Sequence, residues 1–165
     1  MINNKMSVYV AGKWGDSEKI SKKIRELEKL GISITLNWTK CKEENCNKEQ
    51  QLIADDTLYN EPFDNKELNP VKHRKELQRD AEEEINAVRD ANYIIAIMDD
   101  PEYTYRGTFT EVGASLGLNK TVFIYNPNEQ SRCMTNCFYW HKNCRHYKDW
   151  EELKTYIYNV INHRL

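Results

Sequence analysis

The stretch YIIAIM, residues 93–98, is a continuous apolar run that ends at Asp99-Asp100-Pro101. A short run without alternation is typical of a parallel strand that helices cover on both faces. Residues 8–11 (VYVA) and 121–125 (TVFIY) have the same pattern. We therefore expect three neighbouring strands at the centre of one sheet.

Segments with helical spacing of apolar residues separate these strands. They begin near Ser17, Lys72, Gly107 and Trp150. Residues 32–36 and 145–147 predict two further strands. Strands that alternate with helices indicate a parallel sheet of βαβ units. We expect an α/β, flavodoxin/Rossmann-like three-layer sandwich with five parallel strands in the order 2-1-3-4-5.

A long polar stretch interrupts this pattern at about residues 37–70. We expect it to be an insertion in a single domain that covers residues 1–165. A loop of this length is either functional, such as a lid, or a solvated insertion.

The composition indicates a globular protein and gives no sign of a nucleic-acid or membrane partner. The chain is 39% hydrophobic and 30% charged, with a net charge of −2. This balance favours neither a nucleic-acid backbone nor an anionic membrane. No apolar run reaches the roughly 18 residues of a membrane span, and the N-terminus lacks an apolar signal core. We expect a cytoplasmic protein.

The strand order predicts a ligand crevice where the carboxyl ends of the first and third strands meet. The loops of residues 12–15 and 99–108 end there. We expect the substrate-binding residues in these loops, with Asp80 nearby: Gly12, Lys13, Trp14, Asp99, Tyr105, Arg106, Gly107 and Thr108.

Two carboxylates are candidates for chemistry. Glu111 is expected in the first turn of the third helix, where the helix dipole would keep it ionised at pH 7. It is then either a nucleophile at a sugar carbon or ordinary helix-end electrostatics. Glu84 lies on the apolar stripe of the second helix, with Asp80 beside it. It is exposed at the rim, paired with another group, or desolvated with a raised pKa suited to a general acid.

The loop after the fourth strand contains five possible zinc ligands. Their spacing departs from paired C-x2-C motifs, so structural zinc is only an alternative to ordinary packing. The aromatic segment of residues 138–140 is interpreted as a hydrophobic cover. The ligands in question are Cys133, Cys137, His141, Cys144 and His146.

The segment YRGTFTEVGASLGLNK, residues 105–120, resembles the nucleoside 2-deoxyribosyltransferase-like superfamily, as do residues 8–12 and 91–98. That superfamily includes 2′-deoxynucleoside 5′-monophosphate N-glycosidases. The similarity covers most of the chain in order, outside the 37–70 stretch. The G-T-x-x-E-x-G block is its most specific part.

The resemblance implies roles for individual residues. Glu111 matches the nucleophile that attacks C1′ of deoxyribose, and Tyr9 matches a tyrosine that activates or positions it. Trp14 resembles an aromatic of the base pocket. Glu84 stands where the family has an aspartate that protonates the base, with Asp80 as the other candidate.

Two positions depart from the family pattern. Asn92 stands where the family commonly has an aspartate. Tyr105 replaces an aspartate of many transferases, although Asp99 and Asp100 lie close in sequence.

The expected function is cleavage of the N-glycosidic bond of a 2′-deoxynucleoside, with transfer of the sugar from Glu111 to another nucleobase. A monophosphate N-glycosidase is the nearest alternative and needs an anion site, for which Lys13, Ser17, Arg106 and Thr108 are candidates. A non-catalytic nucleotide sensor and an NAD-type glycohydrolase are further alternatives. The chemistry needs no metal and no cofactor. The expected partners are small molecules, and the resemblance implies a homo-oligomer.

Overall fold

The residues that the computed structural model describes, 6–40, 74–128 and 130–163, form one five-stranded parallel sheet. Its order is β2-β1-β3-β4-β5, as the sequence predicts. The strands are β1 (Ser7–Gly12), β2 (Ser33–Ile34), β3 (Tyr93–Ile97), β4 (Thr121–Tyr125) and β5 (Cys144–Tyr147). Most of the predicted insertion lies outside the described residues, so the insertion and the single domain stay predictions.

Four helices of the described residues complete the α/β architecture. They are α1 (Ser17–Lys29), α2 (Arg74–Asp90), α3 (Arg106–Gly117) and α4 (Trp150–His163). None of the helices within these residues combines the length and apolarity that crossing a membrane requires.

The central strands are buried except at some of their ends. Val8, Val10, Ile94, Ile95 and Ile124 have no exposed surface. Helices on both faces explain why these strands are continuously apolar rather than alternating. The edge strand β2 is shorter than predicted, because only Ser33 and Ile34 pair with β1.

The end of β1 packs tightly against α1. A Cβ atom on Gly12 would lie 2.5 Å from Cδ1 of Ile20, which is itself fully buried. A glycine at this position therefore lets the helix approach the strand end, where the loop of residues 12–15 begins.

The apolar stripe predicted on α2 is buried only near the C-terminal end of the helix. Ala87 and Val88 contact the core, whereas Leu77 and Ile85 are 38% and 41% exposed. Helical spacing defines a face but does not say how much of that face the sheet covers.

Replacing Ile95 by alanine should lower the free energy of unfolding by about 2–5 kcal/mol, since it removes fully buried methyl and methylene groups from the central strand. The matched control, Ile85→Ala on the exposed face of α2, should change it by less than about 0.5 kcal/mol. Urea denaturation followed by circular dichroism measures both. Equal effects would contradict the assigned core.

Candidate active site

A buried hydrogen bond joins β1 to α3 at the predicted crevice. The hydroxyl of Tyr9, which is fully buried in β1, donates to Oε1 of Glu111. The Glu111 side chain comes from α3 and is only 8% exposed. The two residues that the resemblance pairs are therefore in contact.

Glu111 is not stabilised as an anion in the way the sequence predicts. Because α3 begins at Arg106, Glu111 lies in its second turn, beyond the unpaired N–H groups of the first. Burial, followed by the negative charge of Glu84, raises the pKa of Glu111 to about 8. The Tyr9 hydrogen bond opposes this rise but does not cancel it. The expectation of a carboxylate kept ionised by the helix N-terminus is wrong.

Glu84 is partly buried on α2, and its charge acts on both Glu111 and Tyr9. Burial first, then the charges of Asp80 and Glu83, raise the pKa of Glu84 to about 7. Partial burial and the raised pKa both favour the desolvated alternative over full exposure at the rim. Asp80 itself pairs with Arg79 at 3.0 Å and is about half exposed, so it lies at the edge of this cluster.

The two carboxyl groups form a coupled pair. The charge of Glu84 makes Glu111 ionise less readily, and both pKa values lie close to neutrality. Between these two values the pair holds one proton and one negative charge, with the charge mainly on Glu84 and the proton mainly on Glu111. Attack by Glu111 with acid assistance from Glu84 uses the less populated form, in which the proton has moved from Glu111 to Glu84.

The loop after β3 is held by two ion pairs to the first part of the chain. Asp99, whose side chain is 6% exposed, binds Lys19 of α1 at 2.6 Å. Asp100 binds Lys13 at 3.0 Å, and the Lys13 ammonium also lies 4.5 Å from the ring centroid of Tyr103. The structure therefore brings Lys13 and Asp100 together and directs Asp99 to α1 rather than to Glu111.

Tyr105 supports the loop rather than facing an open crevice. It is 1% exposed, and its backbone has a left-handed φ of 50°, which is unusual for a bulky residue. Its hydroxyl accepts a hydrogen bond from the Asp100 N–H at 2.8 Å. The prediction of Tyr105 as a substrate-binding residue therefore conflicts with its buried, occupied hydroxyl.

The start of α3 is open to an anion. The side chain of its N-cap residue, Tyr105, accepts no hydrogen bond from the first backbone N–H groups of the helix. Arg106 and Gly107 are exposed, and a Cβ on Gly107 would meet nothing within 4 Å. Thr108 is buried beside them, at 2% exposure.

Trp14 has an aromatic partner within the chain. Its ring stacks on Trp38 with centroids 5.5 Å apart and planes at 23°. The Nε1–H of Trp38 donates to the Val10 carbonyl at 2.8 Å, while Trp14 Nε1 is buried with no hydrogen-bond partner among the described residues. One face of the predicted base-stacking ring is thus occupied. Trp38 was not predicted, because it lies in a polar stretch without periodicity.

The Cys/His loop does not assemble as the zinc alternative requires. Within the part of the chain that the structure describes, no three His, Cys, Asp or Glu side chains are grouped to hold a metal ion. Cys144 Sγ donates to the Phe138 carbonyl at 3.6 Å, and His146 Nε2 lies 2.9 Å from the Tyr139 carbonyl. The loop is instead packed through its aromatics: Trp140 stacks on His146, and Phe138 and Tyr139 contact Phe109.

Comparison with known proteins agrees with this architecture. The chain is similar in fold to the CMP N-glycosidase BcmB of Clostridium botulinum, with a TM-score of 0.50 and 15% identity. The similarity covers 92% of this chain and 97% of that one. No curated protein matches the chain in sequence.

The sequence model of the nucleoside 2-deoxyribosyltransferase family matches residues 8–145, a span that includes Tyr9, Glu84 and Glu111. Because this match covers well over half of the chain, the chain belongs to the nucleoside 2-deoxyribosyltransferase family of enzymes.

Proposed function

We propose that the chain cleaves the N-glycosidic bond of a 2′-deoxynucleoside and transfers the sugar to a second nucleobase, with Glu111 as the nucleophile. The observation that carries this proposal is the buried Glu111 carboxyl, bonded to Tyr9 and coupled to a second carboxyl, Glu84. Family membership supports the same chemistry.

In the first step, a Glu111 oxygen bonds to C1′ while the bond from C1′ to the base nitrogen breaks. The electron pair leaves with the base, and Glu84 gives its proton to the departing base. The oxocarbenium-like character of the transition state is stabilised by the nearby negative charge. The Tyr9 hydroxyl holds the attacking carboxylate in one orientation.

In the second step, a nitrogen of the incoming base attacks C1′ and displaces Glu111. The ionised Glu84 accepts the proton that this nitrogen loses, so the pair returns to its starting state. Two displacements at one carbon give net retention of configuration.

Cleavage of a 2′-deoxynucleoside 5′-monophosphate by water is a second candidate. The uncapped start of α3, with Arg106 and Gly107 exposed, favours an anion such as a 5′-phosphate at this position. The structurally similar BcmB is a CMP N-glycosidase. Lys13, another candidate for this site, is paired with Asp100. The expected homo-oligomer stays a prediction.

Incubation with 2′-deoxyinosine and free adenine should produce 2′-deoxyadenosine if the sugar is transferred. Chromatography of the products, with 2′-deoxynucleoside monophosphates tested in parallel, measures this. Free base and sugar phosphate from the monophosphates alone would favour the hydrolase and contradict transfer. Release of nicotinamide from NAD would favour the glycohydrolase alternative.

Glu111→Gln should lower kcat by about 10³-fold or more, because the amide cannot form the ester with C1′. The matched control is Glu102→Gln, an exposed glutamate on the loop before α3. It should keep wild-type activity in the same assay. If Glu111→Gln retained full glycosyl activity, the nucleophile assignment would be wrong.

The pH profile of kcat/KM should be bell-shaped, with its maximum between the two pKa values of about 7 and about 8. Below this range both carboxyls are protonated and the nucleophile is lost; above it both are ionised and the acid is lost. Initial rates measured from about pH 5 to about pH 10 provide the test.

Glu84→Gln should lower kcat by about 10²–10⁴-fold, since it removes the general acid. It should also remove the alkaline limb and shift the acidic limb to lower pH, because the charge of Glu84 raises the pKa of Glu111. Glu82→Gln, an exposed neighbour on α2, is the control. An unchanged profile in Glu84→Gln would count against Glu84 as the acid.

Arg106→Gln should reduce kcat/KM for a 5′-monophosphate by about tenfold while leaving a nucleoside nearly unaffected, because only the phosphate requires a cation. The control is Arg89→Gln, which changes an arginine in the last turn of α2. Equal losses for both substrates would show that Arg106 does not recognise a phosphate.

A further inference from the structure

Tyr139 packs against α3, the helix that carries Glu111, from an element that the proposed mechanism does not use. It lies in the 3₁₀ turn Cys137–Trp140 after β4 and is 1% exposed. Its ring packs edge-on against Phe109, with centroids 6.1 Å apart and planes at 77°. Phe109 precedes Glu111 by two residues in α3, so the turn is fixed against the helix that carries the nucleophile.

The hydroxyl of Tyr139 has no hydrogen-bond partner among the described residues. The other polar groups of this turn are satisfied: Trp140 Nε1 donates to the Met134 carbonyl, and the Phe138 N–H donates to the Asn136 side chain. Since a buried hydroxyl without a partner is costly, such exceptions in a native structure require an explanation.

The groups around the Tyr139 hydroxyl determine its protonation state and the kind of partner it can bind. Burial, then the charges of Cys133, Glu111 and Cys144, raise the pKa of Tyr139, so the hydroxyl keeps its proton. It is within electrostatic reach of the Glu111 carboxyl but is not hydrogen-bonded to it. It is therefore a neutral donor and acceptor beside the nucleophile, which suits a neutral hydroxyl group as its partner.

We propose that Tyr139 is a substrate-binding residue whose hydroxyl forms a hydrogen bond with a hydroxyl of the substrate sugar when the site is occupied. The inference rests on the proposed function, since it takes the sugar of a nucleoside as the ligand. A sugar whose C1′ is bonded to Glu111 carries its remaining hydroxyls within a few bonds of that carbon, and the ring of Tyr139 packs on the same helix as Glu111. The hydroxyl that lacks a partner in the free protein then gains one in the complex.

The first test separates a binding role from a structural one. In the free protein, Tyr139→Phe keeps the packing against Phe109 and removes only the unpaired hydroxyl. Its Tm should equal the wild-type value or exceed it by about 2–4 °C. A lowered Tm would show that the hydroxyl has a partner within the protein and would overturn the inference.

The second test identifies the partner by matched substrates. Cleavage and calorimetric binding are measured with 2′-deoxyadenosine, 2′,3′-dideoxyadenosine and 2′,5′-dideoxyadenosine, for wild type, Tyr139→Phe and the control Tyr93→Phe. Tyr139→Phe should bind 2′-deoxyadenosine about tenfold more weakly and lose about tenfold of the wild-type preference over one of the two analogues. If Tyr139→Phe loses the preference over the 2′,3′-dideoxy analogue, the 3′ hydroxyl is bound. If it loses the preference over the 2′,5′-dideoxy analogue, the 5′ hydroxyl is bound.

The outcomes distinguish this inference from the proposed function. If the wild type is active and Tyr139→Phe has the same activity and affinity, the inference is overturned and the proposed function stands. If the wild type is inactive but binds nucleosides, and Tyr139→Phe binds them more weakly, the inference stands and the proposed function is rejected. Wild type that neither cleaves nor binds the nucleosides rejects both.

Discussion

The site depends on keeping the Glu111 carboxyl out of water while giving it one fixed hydrogen bond. Burial raises the pKa of Glu111, and the hydrogen bond from Tyr9 lowers it part of the way back. Glu111 and Glu84 together hold one proton and one negative charge close to neutral pH. The proposed reaction uses the form of this pair in which Glu111 carries the charge and Glu84 carries the proton.

The parallel sheet explains why these groups meet although they are far apart in sequence. Register pairs Tyr9 of β1 with Ile94 of β3, so α2 and α3, which flank β3, lie beside the first strand. Ion pairs from Lys13 and Lys19 to the β3–α3 loop hold the mouth of the crevice in place. The position of Glu111 is thus set by the packing of α3 rather than by the helix terminus.

Much of the fold could be predicted because the buried strands are apolar without interruption, as in residues 93–98. The strand order also followed from the sequence, and the pairing of Tyr9 with Glu111 followed from the family resemblance. The protonation of Glu111 did not, because it depends on burial in three dimensions. The stacking of Trp38 on Trp14 and the unpartnered hydroxyl of Tyr139 were not predicted, since a lone aromatic in a polar or turn-rich segment does not show which residues surround it.

In the proposed reaction Glu111 forms a covalent bond to the sugar carbon that loses the base. Mass spectrometry of the intact protein, quenched in acid during turnover of a 2′-deoxynucleoside, tests this bond most directly. We expect a deoxyribosyl adduct that peptide fragmentation assigns to Glu111 and that is missing from Glu111→Gln. An adduct on a different residue of an active protein would contradict it, as would products of inverted configuration.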